Sequence, residues 1–210
     1  QGSVAHDLRN PIAIIQGYAQ YLQLNLSGGG ISKEKISFVV ANILQTSHRL
    51  ERYTDSLRTI SRLEELEAQL QPVDFPSLSA DMREDFTLLT EGRKIGLDWK
   101  NAVAEKELNL DAKILYRILE NLIGNAVRFA NQRIAVQISC HQGLLTITVS
   151  DDGPGFPQRV LNSKDSYAYM GSEDENHLGM GLSICRVLCR KHGGKLILSN
   201  AEHGGAVVKF

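Results

Sequence analysis

Residues 111–130, DAKILYRILENLIGNAVRFA, read as one helix with two unlike faces. Leu115, Ile118, Leu119, Leu122 and Ala126 repeat at helical spacing and make an apolar stripe that has to lie on a core. Asn121, Asn125 and Arg128 recur at i, i+4 and i+7, so they share a second, polar face. Amide oxygens in line with a guanidinium suit a hard cation carrying a phosphate, because Mg²⁺ takes oxygen ligands and keeps substrate phosphates in its shell. Solvation alone also accounts for such a face, so its meaning depends on what surrounds it.

Outward from this helix, strand-like and helix-like periods alternate. Strands are expected at 95–99, 134–139, 144–150, 195–199 and 206–210, with period-two alternation clear in Ile95, Leu97 and Trp99. Helices are expected at 75–92 and 181–192, the latter closed by Gly193-Gly194. The pattern predicts a two-layer α/β sandwich, with helices on one face of a mixed sheet.

Two loops in this half look built for a ligand. The strand before Asp151-Asp152-Gly153-Pro154-Gly155-Phe156 delivers a carboxylate into glycines that admit close backbone approach. An acceptor-only Asp151 suits an exocyclic amine, which favours adenine over guanine. A simple tight turn also fits, whereas a calcium loop would need carboxylates where Pro154, Gly155 and Phe156 stand. Gly179-Met180-Gly181 precedes the expected helix 182–192, whose unsatisfied N–H groups and positive dipole end attract phosphate. The Walker pattern and the dinucleotide fingerprint are both absent.

The first third of the chain is different. A helix is expected to end near Leu26, with Ser27-Gly28-Gly29-Gly30 as the turn and Ser32 capping a second, long helix. Leu8, Ile12, Ile15, Ala19, Leu22 and Leu26 form one narrow seam; Val39, Ile43, Leu50, Tyr53, Leu57 and Ile60 form another, with Thr46 interrupting it. Two narrow seams cannot enclose a core alone, so a homodimer forming a four-helix bundle is expected. Gln71-Pro72-Val73-Asp74-Phe75-Pro76 should break the helix, which places the domains at 1–70 and 71–210 and the fold class as α+β.

Off the first seam lies His6-Asp7-Leu8-Arg9-Asn10-Pro11. A neutral imidazole has a free lone pair on one nitrogen, and a neighbouring acid can fix its tautomer. His6 is turned roughly 200° from Leu8, toward solvent or a docking partner. An exposed histidine near a fraying helix end has the same pattern, and interior Pro11 loosens the turn before it.

Composition narrows the classes. A net charge of −1 and the absence of a basic block give no case for nucleic acid. No apolar run approaches the roughly eighteen residues that cross a bilayer, so the stretch is expected to be cytoplasmic. Its abrupt start at Gln1-Gly2-Ser3 suggests a fragment, and membrane attachment through segments outside it stays open. Cys140, Cys185 and Cys189 match no zinc or redox spacing and read as small hydrophobes in a reducing compartment.

Taken together, the order and spacing of these elements resemble the catalytic core of sensor histidine kinases. His6 to Pro11 is similar to that family's phosphoacceptor box, Asn121 to Phe129 to its asparagine box, Asp151 to Phe156 to its first glycine box, and Gly179 to Leu182 to its second. Gly204-Gly205-Ala206 with Phe210 resembles the closing strand. The resemblance implies ATP and Mg²⁺ as cofactors, with Asn125 on the metal. Asn121 and Arg128 would act on phosphates, Asp151 on the adenine amine, and Gly153, Gly155, Gly179 and Gly181 at close approaches. It implies autophosphorylation of His6 with Asp7 as its orienting acid, then transfer to an aspartate of a response regulator. Asn10, on the face of His6, matches the position that orients water for dephosphorylating the regulator. Departures stand at His177, where a glycine is usual, at Tyr167, Ala168, Tyr169 and Met170, where phenylalanine is expected before the lid, and at Arg128, often lysine. A serine kinase or ATPase of the same superfamily, or a nucleotide-binding dimeric scaffold, is the competing reading.

Overall fold

The computed structural model describes residues 2–27, 30–162, 178–202 and 204–210, with side chains at all of these except 2–7, 27, 56, 159 and 178–180. Two compact units result, Gln1–Ser61 and Arg62–Phe210.

The first unit is helical. α1 (Gly2–Ser27) runs through Pro11, and α2 (Lys33–Glu65) begins where Ser32 Oγ accepts the Lys35 N–H at 3.4 Å and the Ser32 carbonyl accepts that of Ile36. Pro11, the tenth residue of α1, lies in the helix interior, where its missing N–H removes one intrahelical bond. Along α2 every expected seam position is buried or half-buried, with Val39, Thr46 and Ile60 buried. On α1 the seam is less regular: Leu8, Ile15 and Leu22 are half-buried, but Ile12 and Leu26 are exposed.

In chain order the second unit contains β1 (Gln71–Asp74), α3 (Phe75–Glu91), β2 (Gly96–Asn101), β3 (Glu107–Leu110), α4 (Ala112–Phe129), β4 (Arg133–His141) and β5 (Leu144–Asp151). After these come a one-turn α5 (Gln158–Leu161), α6 (Leu178–Lys191), β6 (Ile197–Asn200) and β7 (Ala206–Lys209). Five strands form a mixed sheet ordered β2-β4-β5-β7-β6, parallel only between β2 and β4. Ile134, Val136 and Ile138 of β4 are buried while Gln137 and Ser139 are exposed, so helices cover one face of a two-layer sandwich. That face receives the stripe of α4, where Leu115, Ile118, Leu119, Leu122 and Ala126 are all buried, and α6 packs beside it. Cys185 and Cys189 of α6 are buried in this layer and Cys140 is half-buried; burial pushes the Cys189 thiol up to about 12, which leaves it unreactive.

Three features differ from expectation. β1 and β3 pair antiparallel as a separate two-stranded sheet, where the sequence pattern predicts only a break and a loop. Each strand has four residues, too few for a period to register, and Pro72 is tolerated because the pair is all edge. α6 starts at Leu178, so Gly179 and Gly181 lie in its first turn rather than ahead of it. The compact division falls inside α2 and not at the prolines, because the connecting residues are stitched to the second unit: Asp111 Oδ2 accepts the Gln69 N–H at 2.9 Å, and Lys191 Nζ donates to the Glu64 carbonyl.

Candidate active site

α4 begins at the N-cap Asp111, whose Oδ1 accepts the N–H groups of Lys113 and Ile114, both at 3.0 Å. With its start fixed in this way, the helix carries Asn121, Asn125 and Phe129 along one edge of a cleft of about 370 Å³. Leu122, Asn125, Ala126 and Phe129 form the helix wall, the loop from Pro154 to Pro157 faces them, and Asp151 stands at the end. Leu182 of α6, Val149 of β5, and Ala206 and Val208 of β7 complete the apolar lining. An apolar slot with a few convergent polar groups is the form ligand sites take, and its size suits a flat heterocycle.

Asp151 is half-buried, and both its hydrogen bonds converge on Oδ1, from Gly153 N at 2.8 Å and Ala206 N at 3.3 Å. Burial raises its pKa above the ordinary carboxylate value; those two N–H groups oppose the rise, and the neighbouring Asp152 charge adds to it. Oδ2 accepts nothing among the described residues and remains available for a donor such as an amine. Asp152 has the opposite task. Burial would raise its pKa, but the N–H groups of Gln132, Arg133 and Asn131 hold it below the usual range, and so it ties the start of β4 to the loop.

The glycines are close approaches. A Cβ on Gly153 would stand 2.4 Å from the Phe129 carbonyl oxygen, so only glycine lets this loop meet the end of α4. At Gly181 a Cβ would stand 3.1 Å from Asn125 Nδ2 and 3.3 Å from Asn121 Oδ1, so the first turn of α6 comes onto both amides.

Asn125 Nδ2 is buried and has no hydrogen-bond partner among the described residues, an unsatisfied donor of the kind a ligand can engage. Turning that amide over exchanges Nδ2 for Oδ1 without changing its shape, which presents an oxygen to a cation. Asn121 Nδ2 is engaged by the Arg117 carbonyl at 2.7 Å, leaving its oxygen as the outward group. The residues present therefore fit a hard cation with phosphate.

Asn125, Phe129, Asp151, Gly155 and Leu182 come together in the cleft, with Asn121, Gly153 and Gly181 adjoining it. Arg128 does not line it; its guanidinium is exposed, 5.3 Å above the Phe129 ring. His6 and Asp7 belong to α1, with Asn10 exposed one turn further on, but the two side chains lie outside the described residues. So do His177 and residues 167–170; Gly179 is described only as backbone of α6.

Sequence reasoning missed Asn200, which forms a two-way hydrogen bond with Phe156: Oδ1 accepts its N–H at 2.7 Å and Nδ2 donates to its carbonyl at 2.9 Å. Its partner lies far away in the chain, so no local motif betrays it. The role of Asp152 was overlooked for the same reason, although the Asp151-Asp152 doublet was visible.

A two-layer sandwich with an amide-bearing helix over an acid-and-glycine cleft defines a nucleotide-binding domain of the ATPase kind. Residues 110–210 match the family described as Histidine kinase-, DNA gyrase B-, and HSP90-like ATPase, and residues 2–66 match the His Kinase A (phospho-acceptor) domain. The two matches, phospho-acceptor then ATPase, follow the order of a histidine kinase catalytic core. Among curated relatives, sensor histidine kinase SpaK of Bacillus subtilis is 28% identical over 214 residues, covering 99% of this chain and 46% of SpaK. The chain thus spans less than half the length of that relative. Among solved structures, the Acinetobacter baumannii histidine kinase AdeS superposes with a TM-score of 0.57 at 20% identity, covering 97% of this chain and 95% of that one. Histidine kinase ThkA, solved in complex with response regulator protein TrrA, gives 0.60 at 19% identity, covering 100% and 60%. Both likenesses concern the fold.

Proposed function

We propose that this chain transfers the γ-phosphoryl group of ATP to its own His6 and then passes it to an aspartate of a response-regulator receiver domain. The observation that supports this most is the cleft itself: a half-buried Asp151 with a free oxygen at one end and the Asn121, Asn125 and Gly181 cluster beside it, in a chain that also carries a phospho-acceptor helix pair. Asp151 Oδ2 accepts the adenine amine, and the ring lies between the α4 wall and the Pro154–Pro157 loop. Asn121 orients phosphate, and the first turn of α6, with Gly179 and Gly181, directs N–H groups at it; Arg128 joins them only by leaving the Phe129 ring on which its guanidinium lies. Asn125 would hold Mg²⁺, which when bound screens phosphate charge.

A lone pair on neutral His6 attacks the γ-phosphorus in line. The bond from the γ-phosphorus to the bridging oxygen breaks, ADP leaves with its electron pair, and Asp7 accepts a hydrogen bond from the other ring nitrogen as positive charge develops there. Residues 1–70 are the dimerisation and phosphotransfer domain in this account, and residues 71–210 the ATP-binding domain. ThkA, which shares the fold, was solved with a response regulator, and that supports a receiver domain as the partner here. Asn10 stands one turn from His6 on α1, a placement that supports a second activity, orienting water to dephosphorylate the regulator.

Incubation with Mg²⁺ and γ-labelled ATP tests the reading. The label should survive alkali, be lost in acid and vanish in His6→Gln; acid-stable label, or label retained by His6→Gln, overturns it.

A further inference from the structure

Among the described residues the loop wall of the cleft has no hydrogen bond to α4; its support comes from the other side. The β6–β7 connection supplies two anchors. Ala206 N–H meets Asp151 Oδ1, and Asn200, the last residue of β6, pairs with both backbone groups of Phe156. The connection is itself tightly folded: Ala201 N–H donates to the Gly205 carbonyl at 3.0 Å, and a Cβ on Gly205, at φ +99°, would fall 2.0 Å from the Asp151 carbonyl oxygen. The same Asn200 amide sits against Gly155, where φ is +80° and a Cβ would meet Asn200 Cγ and Oδ1 at 2.9 Å. An amide that donates to and accepts from one residue, packed on a glycine that leaves it room, is a clamp.

We propose that Asn200 is a positioning residue for nucleotide binding: it holds Gly155 and Phe156 in register with Asp151, so that the base enters a slot of fixed width. The inference rests on the nucleotide reading above and adds a residue that touches no ligand. Loss of the clamp frees the loop, and ordering it again is then charged to nucleotide binding and not to the chemical step.

Initial rates of self-labelling with varied ATP and constant Mg²⁺, on the whole chain, test it. Asn200→Ala should raise KM for ATP about tenfold, equivalent to ~1.4 kcal/mol, with kcat changed less than about twofold. Asn200→Asp keeps the acceptor for the Phe156 N–H but sets a carboxylate oxygen against its carbonyl, so its KM should fall between wild type and Asn200→Ala. The nucleotide-free melting temperature of Asn200→Asp should stay within about 2 °C of wild type, which separates positioning from general destabilisation. An unchanged KM in both variants overturns the proposal, as does a fall in kcat at unchanged KM. If Asn200→Ala does not fold, the KM of Asn200→Asp decides. Failure of wild type itself to label overturns the nucleotide reading as well, so the two failures are told apart by the control.

Discussion

Asp151 lies half-buried, and burial makes its charged form costly to the fold. Its folded pKa lies above the unfolded one, so between the two values the folded chain holds more protons and stability falls as pH rises; above the folded pKa the penalty is fully present. In the proposed function the carboxylate serves because a neutral side chain would be a poorer acceptor for the base. Asp151→Asn should therefore raise the nucleotide-free melting temperature at neutral pH while weakening ATP binding roughly 10- to 100-fold, the scale of one charge-assisted hydrogen bond. Calorimetric titration of ATP between about pH 4.5 and 7 should show wild-type affinity fading at a higher pH than an ordinary aspartate would give, and no such limb in the variant. A variant that binds ATP as wild type does, at every pH, would remove Asp151 from base recognition.

At the scale of elements, α4 depends on its first residues. Asp111 is buried, and its carboxylate caps the helix and receives Gln69 N–H, while its own N–H donates to His192 Nε2 at 2.8 Å. Burial alone would raise its pKa; the hydrogen bonds from Gln69, Ile114 and Lys113 and the nearby His192 bring it below the ordinary value. Stability from this group is thus present above the unfolded pKa and lost as pH falls through the folded one. Asp111→Ala should cost about 1–2 kcal/mol in chemical denaturation at pH 7, with much less effect at low pH, and should speed amide exchange at Gln69. A pH-independent loss would contradict the capping role.

The elements also show what a sequence can disclose. α4 was legible because its stripe and its amide face repeat with one period, and β4 and β5 because they alternate over enough residues to declare a face. β1 and β3 were not, since four residues with a proline carry no period and exist as strands only through each other. In the site, Asp151 and the glycines stood in a contiguous motif. Asn200 and the clamp by Asp152 are made of groups that folding alone brings together, and Arg128, aligned with the amides by spacing, turns its guanidinium onto Phe129.

For the molecule as a whole, the helical unit leaves apolar surface uncovered. Ile14, Tyr21 and Leu24 of α1 are exposed and share one face of that helix, and Val40 and Leu44 of α2 are exposed and share another. A second copy closing a four-helix bundle would bury such faces, which lie beside the seams on which the dimer is expected. Light scattering after gel filtration should give twice the protomer mass, and Leu24→Lys with Leu44→Lys should give the protomer mass at unchanged helicity. A monomeric wild type would count against the bundle. Among the described residues no helix is long and apolar enough to cross a membrane.

The central event of the proposed function is the arrival of a phosphoryl group on His6 from a nucleotide in the α4 cleft. Tandem mass spectrometry at neutral pH, after incubation with ATP and Mg²⁺, locates that group directly. A single phosphorylated residue, His6, is expected in wild type and none in Asn125→Ala; phosphate on a serine, threonine or other histidine, or on His6 undiminished in Asn125→Ala, would rule the proposed transfer out.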